Sequence, residues 1–323
     1  MASMKVYLKW YYGYQNLWDE ILLFGVIQYL YDQMNVTHII LEVQDEKRMK
    51  SWMAKHLHFL PNITLTYQSL FLPNQKLTYR WQKILLGLRW LFGLMPLIVF
   101  GGGEIINTLR PFDTWNYLLQ YPLHILTGRY ILIGGVTHRW KDDRIAKILI
   151  KNAQKVIVRD AWSSCNVKVF RNDVTLFQDF AIDIILHSLE ETKTWHEEKE
   201  GTVLPWSIPH EPYILLNLHP SCLDDKSMKK IHSFIQKYKK HQIYFIPCDM
   251  IHDMQCYEVL KEKYKDIQLF DWTHYDIDSI VKFFVWCTAG LGARLHFLLL
   301  LQQCKRPFEA IVYHDKVRKV LQL

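Results

Sequence analysis

Arg294 and His296 stand one residue apart in "GLGARLHFLLL" (290–300), after two glycines and before an apolar run. Both side chains are costly to bury without partners. Glycine beside them marks a backbone that something must approach closely. Lys316 follows in "IVYHDKV" (311–317). The planar fork of an arginine suits a carboxylate or a phosphate. A histidine titrating near neutrality suits proton transfer. If a helix opens at 293, the pair lies near its N-terminus, where the dipole also favours negative charge. Taken singly, His296 reads more readily as a satisfied core histidine; Arg294 two residues away and Lys316 twenty residues on weaken that view.

Four other stretches carry residue types that bind or react. "WYYGYQNLWDE" (10–20) follows an expected strand and opens an expected helix. Gly13, Tyr14, Asn16 and Asp19 there offer an anion-attracting loop, or simply turn and cap residues. "FGGGE" (100–104) supplies Gly102, Gly103 and Glu104, and "IGGV" (133–136) supplies Gly135. These glycines let a backbone approach a phosphate or sugar, or make tight turns; they match neither GxGxxG nor a Walker loop. "VRDAWSS" (158–164) puts Arg159 and Asp160 at a strand end, as an anion-reaching arginine or as a local ion pair and helix cap. "IPCDMIHDMQC" (246–256) holds Asp249, His252 and Asp253 in a loop. Their spacing matches no strong metal motif, so no metal is expected.

Strands and helices alternate around these stretches. Strands are expected at 5–10, 37–43, 63–67, 97–103, 130–135, 155–160 and 174–179, with helices near 18–34, 79–92, 112–121 and 141–153. The polar stretch 188–211 reads as a linker or surface excursion. A second series follows: strands at 213–219, 242–248, 267–271, 284–290 and 308–313, helices at 226–240, 257–264 and 293–304. Such alternation implies parallel sheets, whose ligands bind beyond the carboxyl ends of the strands. The expected fold is α/β, two Rossmann-like domains facing a cleft: 1–187, a linker at 188–211, and 212–323.

Bulk composition agrees. The chain has 323 residues, 50% hydrophobic and 22% charged, and chains beyond roughly 250–300 residues usually divide. The formal charge of +7 suits an anionic partner without choosing one, and no nucleic-acid-binding motif is present. Six scattered cysteines read as free thiols of a reducing compartment. The start lacks the apolar core of a signal peptide, and the apolar run 85–100, broken by Arg89, Gly93 and Pro96, is short of a membrane span. The chain therefore reads as cytoplasmic. The segment 76–96 reads as a buried crossover helix, or alternatively as an interfacial helix holding the protein at the inner membrane face near a lipid-linked acceptor. Tyr12, Tyr14 and Trp115 read as core packing or as platforms for sugar faces.

Taken in order, "WYYGYQNLWDE", "GGGE", "IGGV", "VRD", "FIPCDMIHD" and the closing "RLH" with "YHDKV" resemble the motifs of the polysaccharide pyruvyl transferase family, over nearly the whole chain. The resemblance implies a GT-B-like fold. It also implies phosphoenolpyruvate as co-substrate, no separate cofactor, a glycan or lipid-linked saccharide acceptor, and a pyruvate ketal as product. On this reading His296 is the acid/base, with Asp19 a second candidate. Arg159, Arg294 and Lys316 bind the donor with Gly13 and Asn16. Tyr14, Gly102, Gly103, Glu104, Gly135, His252 and Asp253 line acceptor or cleft loops. Trp10 and Trp18 depart from the pattern, which has glycine there. Glycine is scarce, 13 residues or about 4% against a usual ~7%, while tryptophan is abundant at 12. That suggests UGA codons meaning glycine, with Trp162 and Trp286 as further instances; mass spectrometry of the native protein decides it. Two competing readings are a GT-B glycosyltransferase using a nucleotide sugar and a non-catalytic carbohydrate-binding relative.

Overall fold

A computed structural model describes residues 4–69, 96–107, 121–137, 144–198, 209, 211–313, 317–318 and 321. The expected helices at 79–92 and 112–121, apart from Tyr121, lie outside these residues, as do Trp115 and Lys316. The chain divides into two compact units, one of Met1–Tyr14 and Asp19–Ile184, the other of Gln15–Trp18 and Ile185–Leu323.

The first unit holds a seven-stranded sheet in the order β3-β2-β1-β4-β5-β6-β7, parallel throughout. Its strands are β1 (Met4–Lys9), β2 (Val36–Val43), β3 (Thr64–Ser69), β4 (Leu97–Asn107), β5 (Tyr130–Thr137), β6 (Lys155–Val158) and β7 (Thr175–Leu176). Central strands are near-continuous apolar runs because parallel sheets bury both faces; every residue of β5 but Thr137 is buried. The described helices are α1 (Leu17–Met34), α2 (Glu46–Lys55), α3 (Pro122–Thr127), α4 (Arg144–Asn152), α5 (Ala161–Lys168) and α6 (Phe180–Glu198). Helix α1 begins in the four residues assigned to the second unit. Gly25 in its middle permits close packing: a Cβ there would stand 2.3 Å from the Phe180 carbonyl oxygen.

The second unit holds a five-stranded parallel sheet in the order β10-β9-β8-β11-β12. It comprises β8 (Tyr213–Asn217), β9 (Gln242–Phe245), β10 (Ile267–Leu269), β11 (Ala289–Gly292) and β12 (Phe308–Ala310). Helices α7 (Asp225–Lys237), α8 (Met254–Lys263), α9 (Ile277–Trp286) and α10 (Leu295–Gln303) alternate with them. Asp224 and Asp276 cap α7 and α9 by accepting from backbone N–H groups of the first turn.

Two expectations need correction. The run 284–290 is not one strand: α9 continues to Trp286 and β11 starts only at Ala289. Ile277, Ile280, Val281 and Phe284 recur at helical spacing and are buried, so the period of the longer segment outweighs local β-propensity. The supposed linker is helical from 188 to Glu198, because α6 runs through it; most of 199–210 lies outside the described residues. Among the described residues no helix is long and apolar enough to cross a membrane. The segment 70–95, with most of the proposed interfacial helix, is outside them.

Candidate functional site

In each sheet the strand order reverses beside the first strand of its series. This is where a doubly wound sheet leaves a crevice beyond its carboxyl ends. In the first unit the crevice lies between β1 and β4, in the second between β8 and β11.

The second crevice is built from side chains. Asn217 ends β8 and is fully buried. Its Nδ2 donates to the Ile246 carbonyl at 2.7 Å and lies 3.3 Å from Cys248 Sγ, while its Oδ1 accepts from Arg294 N at 3.1 Å. One amide thereby ties together the ends of β8, β9 and β11. Arg294 is the N-cap of α10, whose first turn receives no side-chain cap from it. Its Nε and Nη2 both donate to the buried carboxylate of Asp253. Asp253 Oδ2 also accepts from Cys248 N at 3.0 Å and Asp249 N at 3.1 Å. Burial raises the Asp253 carboxyl and Arg294 pulls it back. Burial also works against the Arg294 charge, but Asp253 more than offsets it and holds the guanidinium pKa above its ordinary value. The guanidinium already serves Asp253, so a second anion must use the donors that Asp253 leaves or displace it.

Around this pair stand His296, Tyr313, His219 and His252. His296 is the second residue of α10, and its ring lies 5.3 Å from the Trp18 ring. Tyr313 stacks on His219 at 4.5 Å, nearly coplanar. Burial raises the Tyr313 hydroxyl, and neighbouring Arg294 opposes the shift. His252 is exposed and pairs with Asp249 across 2.8 Å. Asn16 bridges Asp249 as an isolated antiparallel pair, and Leu17 N donates to the Cys248 carbonyl at 2.9 Å. Asn16 Oδ1 also accepts from Trp18 N at 3.2 Å. The structure therefore brings Asn16, Asp253, Arg294 and His296 together in the second unit.

The first crevice is built from backbone. Gly102 and Gly103 on β4 face Gly134 and Gly135 on β5, whose registers slip between Gly101 and Glu104. Gly134 has φ +143, and a Cβ there would stand 2.4 Å from the Gly102 carbonyl oxygen, so only glycine fits. Arg159 lies over Gly135, its Nη2 3.0 Å and Nε 3.1 Å from where a Cβ would be. Its side chain is 5% exposed and approaches Asp160 at 3.7 Å and Asp179 at 3.5 Å. Among the described residues the buried Nη1 finds no hydrogen-bond partner, Asp179 lying at ion-pair distance only. Asp160 is the cap of α5, accepting from Ser163 N at 2.6 Å, so the local reading holds for that residue. Glu104 accepts from the Thr137 hydroxyl. Asp19 accepts from Trp10 Nε1 at 3.0 Å.

The opening loop is mostly structural where it meets the first unit. Gly13 adopts φ +83 against the backbone of Gln44 and Asp45. Tyr12 is buried and donates to the Gly101 carbonyl at 2.5 Å, which makes it a core residue. Tyr14 stacks on exposed Tyr11 at 4.1 Å, and burial pushes its hydroxyl up to about 12.

Several residues at these edges carried only weak sequence signals. Asn217 is a polar residue closing the apolar run "YILLN". Glu42 is a lone acid in "IILEV"; it is 2% exposed, paired with Lys9 at 2.9 Å and receiving the hydroxyls of Tyr7 and Tyr121 at 2.5 and 3.2 Å. Tyr313 was marked only as the first residue of "YHDKV", and Asp179 carried no signal. Among the described residues no group of three His, Cys, Asp or Glu could hold a metal.

No family model matches the chain, and no curated protein matches it significantly. Solved structures do. A UDP-GlcNAc 2-epimerase from Neisseria meningitidis bound to UDP-GlcNAc is 15% identical, with TM-score 0.58 over 98% of this chain and 85% of that one. A putative UDP-N-acetylglucosamine 2-epimerase from Listeria monocytogenes is 10% identical, with TM-score 0.62 over 100% and 82%. The UDP-GlcNAc 2-epimerase of Methanocaldococcus jannaschii in complex with UDP-GlcNAc and UDP is 12% identical, with TM-score 0.61 over 100% and 87%. At these identities the likeness is one of fold, and the fold class is α/β with two Rossmann-like halves, GT-B-like.

Proposed function

We propose that this chain is a carbohydrate-modifying transferase that moves the pyruvate group of phosphoenolpyruvate onto two hydroxyls of a cell-envelope glycan sugar. The observation that carries the reading is the grouping of Arg294, Asp253, Asn217 and His296 at the carboxyl edge of the second sheet. Asp253, Arg294 and His296 lie in the stretches whose "FIPCDMIHD" and "RLH" resemble polysaccharide pyruvyl transferases.

Phosphoenolpyruvate carries a carboxylate and a phosphate on three carbons, so its site needs fixed cations on rigid supports. Arg294 is such a cation, oriented by Asp253. The reading also uses Arg159 and Lys316. In the reaction a proton is delivered to the methylene carbon, and the first sugar hydroxyl oxygen bonds to C2, losing its own proton. The bond from C2 to the phosphate oxygen then breaks, and phosphate departs. The second hydroxyl oxygen bonds to C2, and its proton ends on the phosphate. One diol and one phosphoenolpyruvate become one cyclic ketal and one phosphate, without oxidant or reductant. His296 is assigned the proton transfers, with Asp19 as the second candidate.

A second reading has a specific observation behind it. Solved structures similar in fold include enzymes of UDP-GlcNAc, and these lend more support to a nucleotide-sugar substrate than to phosphoenolpyruvate. One assay separates the two. Protein is incubated with phosphoenolpyruvate and hexose or amino-sugar acceptors, and in parallel with nucleotide sugars. Acceptor-dependent phosphate release that His296→Ala abolishes, with the fold intact by circular dichroism, supports pyruvyl transfer. Turnover of a nucleotide sugar alone supports the second reading, and near-normal turnover by the variant removes His296 from the mechanism.

A further inference from the structure

Trp18 lies on the cluster just assigned to the donor. It is 4% exposed. Its Nε1 points at Cys248 Sγ, 3.0 Å away, and its ring centroid is 5.3 Å from that of His296. Cys248 is the residue whose sulfur touches Asn217 and whose backbone N–H donates to Asp253. Asn217 in turn holds the backbone of Arg294. The indole thus lies between Cys248, just beyond the end of β9, and the ring of His296. An indole is a large apolar cover with a single donor, and here a thiol faces that donor. Burial raises the Cys248 pKa and keeps the thiol neutral. Nothing in this contact calls for an indole to orient the neighbouring charged pair, which Asp253 and Asn217 already hold.

We propose that Trp18 is a plug: its indole occupies the ground beside His296 where a small dianionic ligand would sit, so the residue at position 18 sets the affinity of the second sheet's edge for phosphate-bearing ligands. The proposal rests on the reading of that edge as the donor site. Its chemistry is steric and dielectric together. Removing the ring opens room next to His296 and Cys248, and lets a ligand's oxygens replace an apolar surface that cannot solvate them.

The test is calorimetric titration of inorganic phosphate, phosphoenolpyruvate and UDP-GlcNAc into the parent, Trp18→Leu, Trp18→Gly and Trp286→Gly, with a circular-dichroism melt of each. Trp286 is 41% exposed at the end of α9 and controls for the same chemical change at a surface. Affinity for phosphoenolpyruvate should rise in the order Trp, Leu, Gly, at least tenfold overall, and stay at the parental value in Trp286→Gly. A flat series among folded variants overturns the plug, and so does an equal rise in Trp286→Gly. Unfolding of both Trp18 variants makes the indole a core residue and overturns it as well. A rise for UDP-GlcNAc but not phosphoenolpyruvate keeps the plug and retires pyruvyl transfer. Tight phosphoenolpyruvate binding by the parent, indifferent to residue 18, does the reverse.

Discussion

The two sheets share a topology but finish their carboxyl edges with different materials. At the first, Gly102, Gly103, Gly134 and Gly135 bring backbones within contact of one another, and Arg159 lies across Gly135 with two carboxylates at ion-pair distance. At the second, Asn217, Asp253 and Arg294 form a chain of side-chain hydrogen bonds that ties three strands. An edge made of backbone fails when an atom is added. An edge made of side chains fails when one is removed. The same contrast separates the proposed roles: open backbone suits a neutral, hydroxyl-rich acceptor, and a fixed cation suits an anionic donor.

Substitutions chosen on each side break or sharpen this contrast. The largest effect is expected from Asp253→Ala, which strands Arg294 and two backbone N–H groups; loss of one partner of a buried pair costs about 3–5 kcal/mol. Denaturant melts should show it, and a loss below about 1 kcal/mol would mean the pair is solvated. Next, Gly134→Ala forces a Cβ into the Gly102 carbonyl at a φ that side chains rarely adopt; we expect about 2–4 kcal/mol from overpacking and backbone strain. The equivalent change in the second edge has no such target, since its glycines meet side chains of Leu301 and Phe297 rather than backbone.

A smaller effect is set by pH and belongs to the first unit. His124 on α3 is fully buried, and burial is the main reason its pKa falls to about 4 from the usual 6.5, helped by Arg129 and opposed by the Pro96 backbone. The unfolded chain takes up this proton near pH 6.5 and the folded chain only near pH 4. Between those values the unfolded state binds more protons, so stability falls as pH falls, by about 3–4 kcal/mol at most for this group, and is flat above pH 7. His124→Gln should flatten the slope of melting temperature between pH 6.5 and 4. The smallest effect, about 1 kcal/mol, is expected from Gly135→Ala. Its new methyl presses on the Arg159 guanidinium at 3.0 Å, the movable end of a long side chain. A loss as large as that of Gly134→Ala would show Arg159 to be locked in place.

Much of this architecture was legible from residue pattern. Helix α1 and strands β1, β2 and β5 follow apolar runs with clear boundaries, and the glycine-rich strand ends fall on neighbouring strands, as their sequence order implied. The pairing of Asp253 with Arg294 was not legible, because 41 residues separate them and either alone reads as an ordinary loop charge. The run 284–290 misled because Phe284, Val285 and Trp286 are as good in a strand as at a helix end, and only the period back to Ile277 decides. The assignment of Gln15–Trp18 to the second unit leaves no local trace, since it depends on backbone hydrogen bonds to Cys248 and Met250. Tryptophan at 10 and 18 stood out as a departure from a resembled pattern. What the structure adds is where the rings go: Trp10 onto Gly102, with its Cδ1 1.9 Å from a notional Cβ, and Trp18 onto Cys248 and His296.

The claim that the second edge takes the anion is tested most directly by heteronuclear NMR. Indole and imidazole 15N–1H resonances, assigned by single Trp→Phe and His→Gln variants, are followed as phosphoenolpyruvate is added. The account predicts that the His296 ring and the Trp18 indole move together, saturably, while Trp162 and Trp286 stay still. Movement confined to Trp10 and the first unit, with His296 and Trp18 unchanged at saturating ligand, would contradict it.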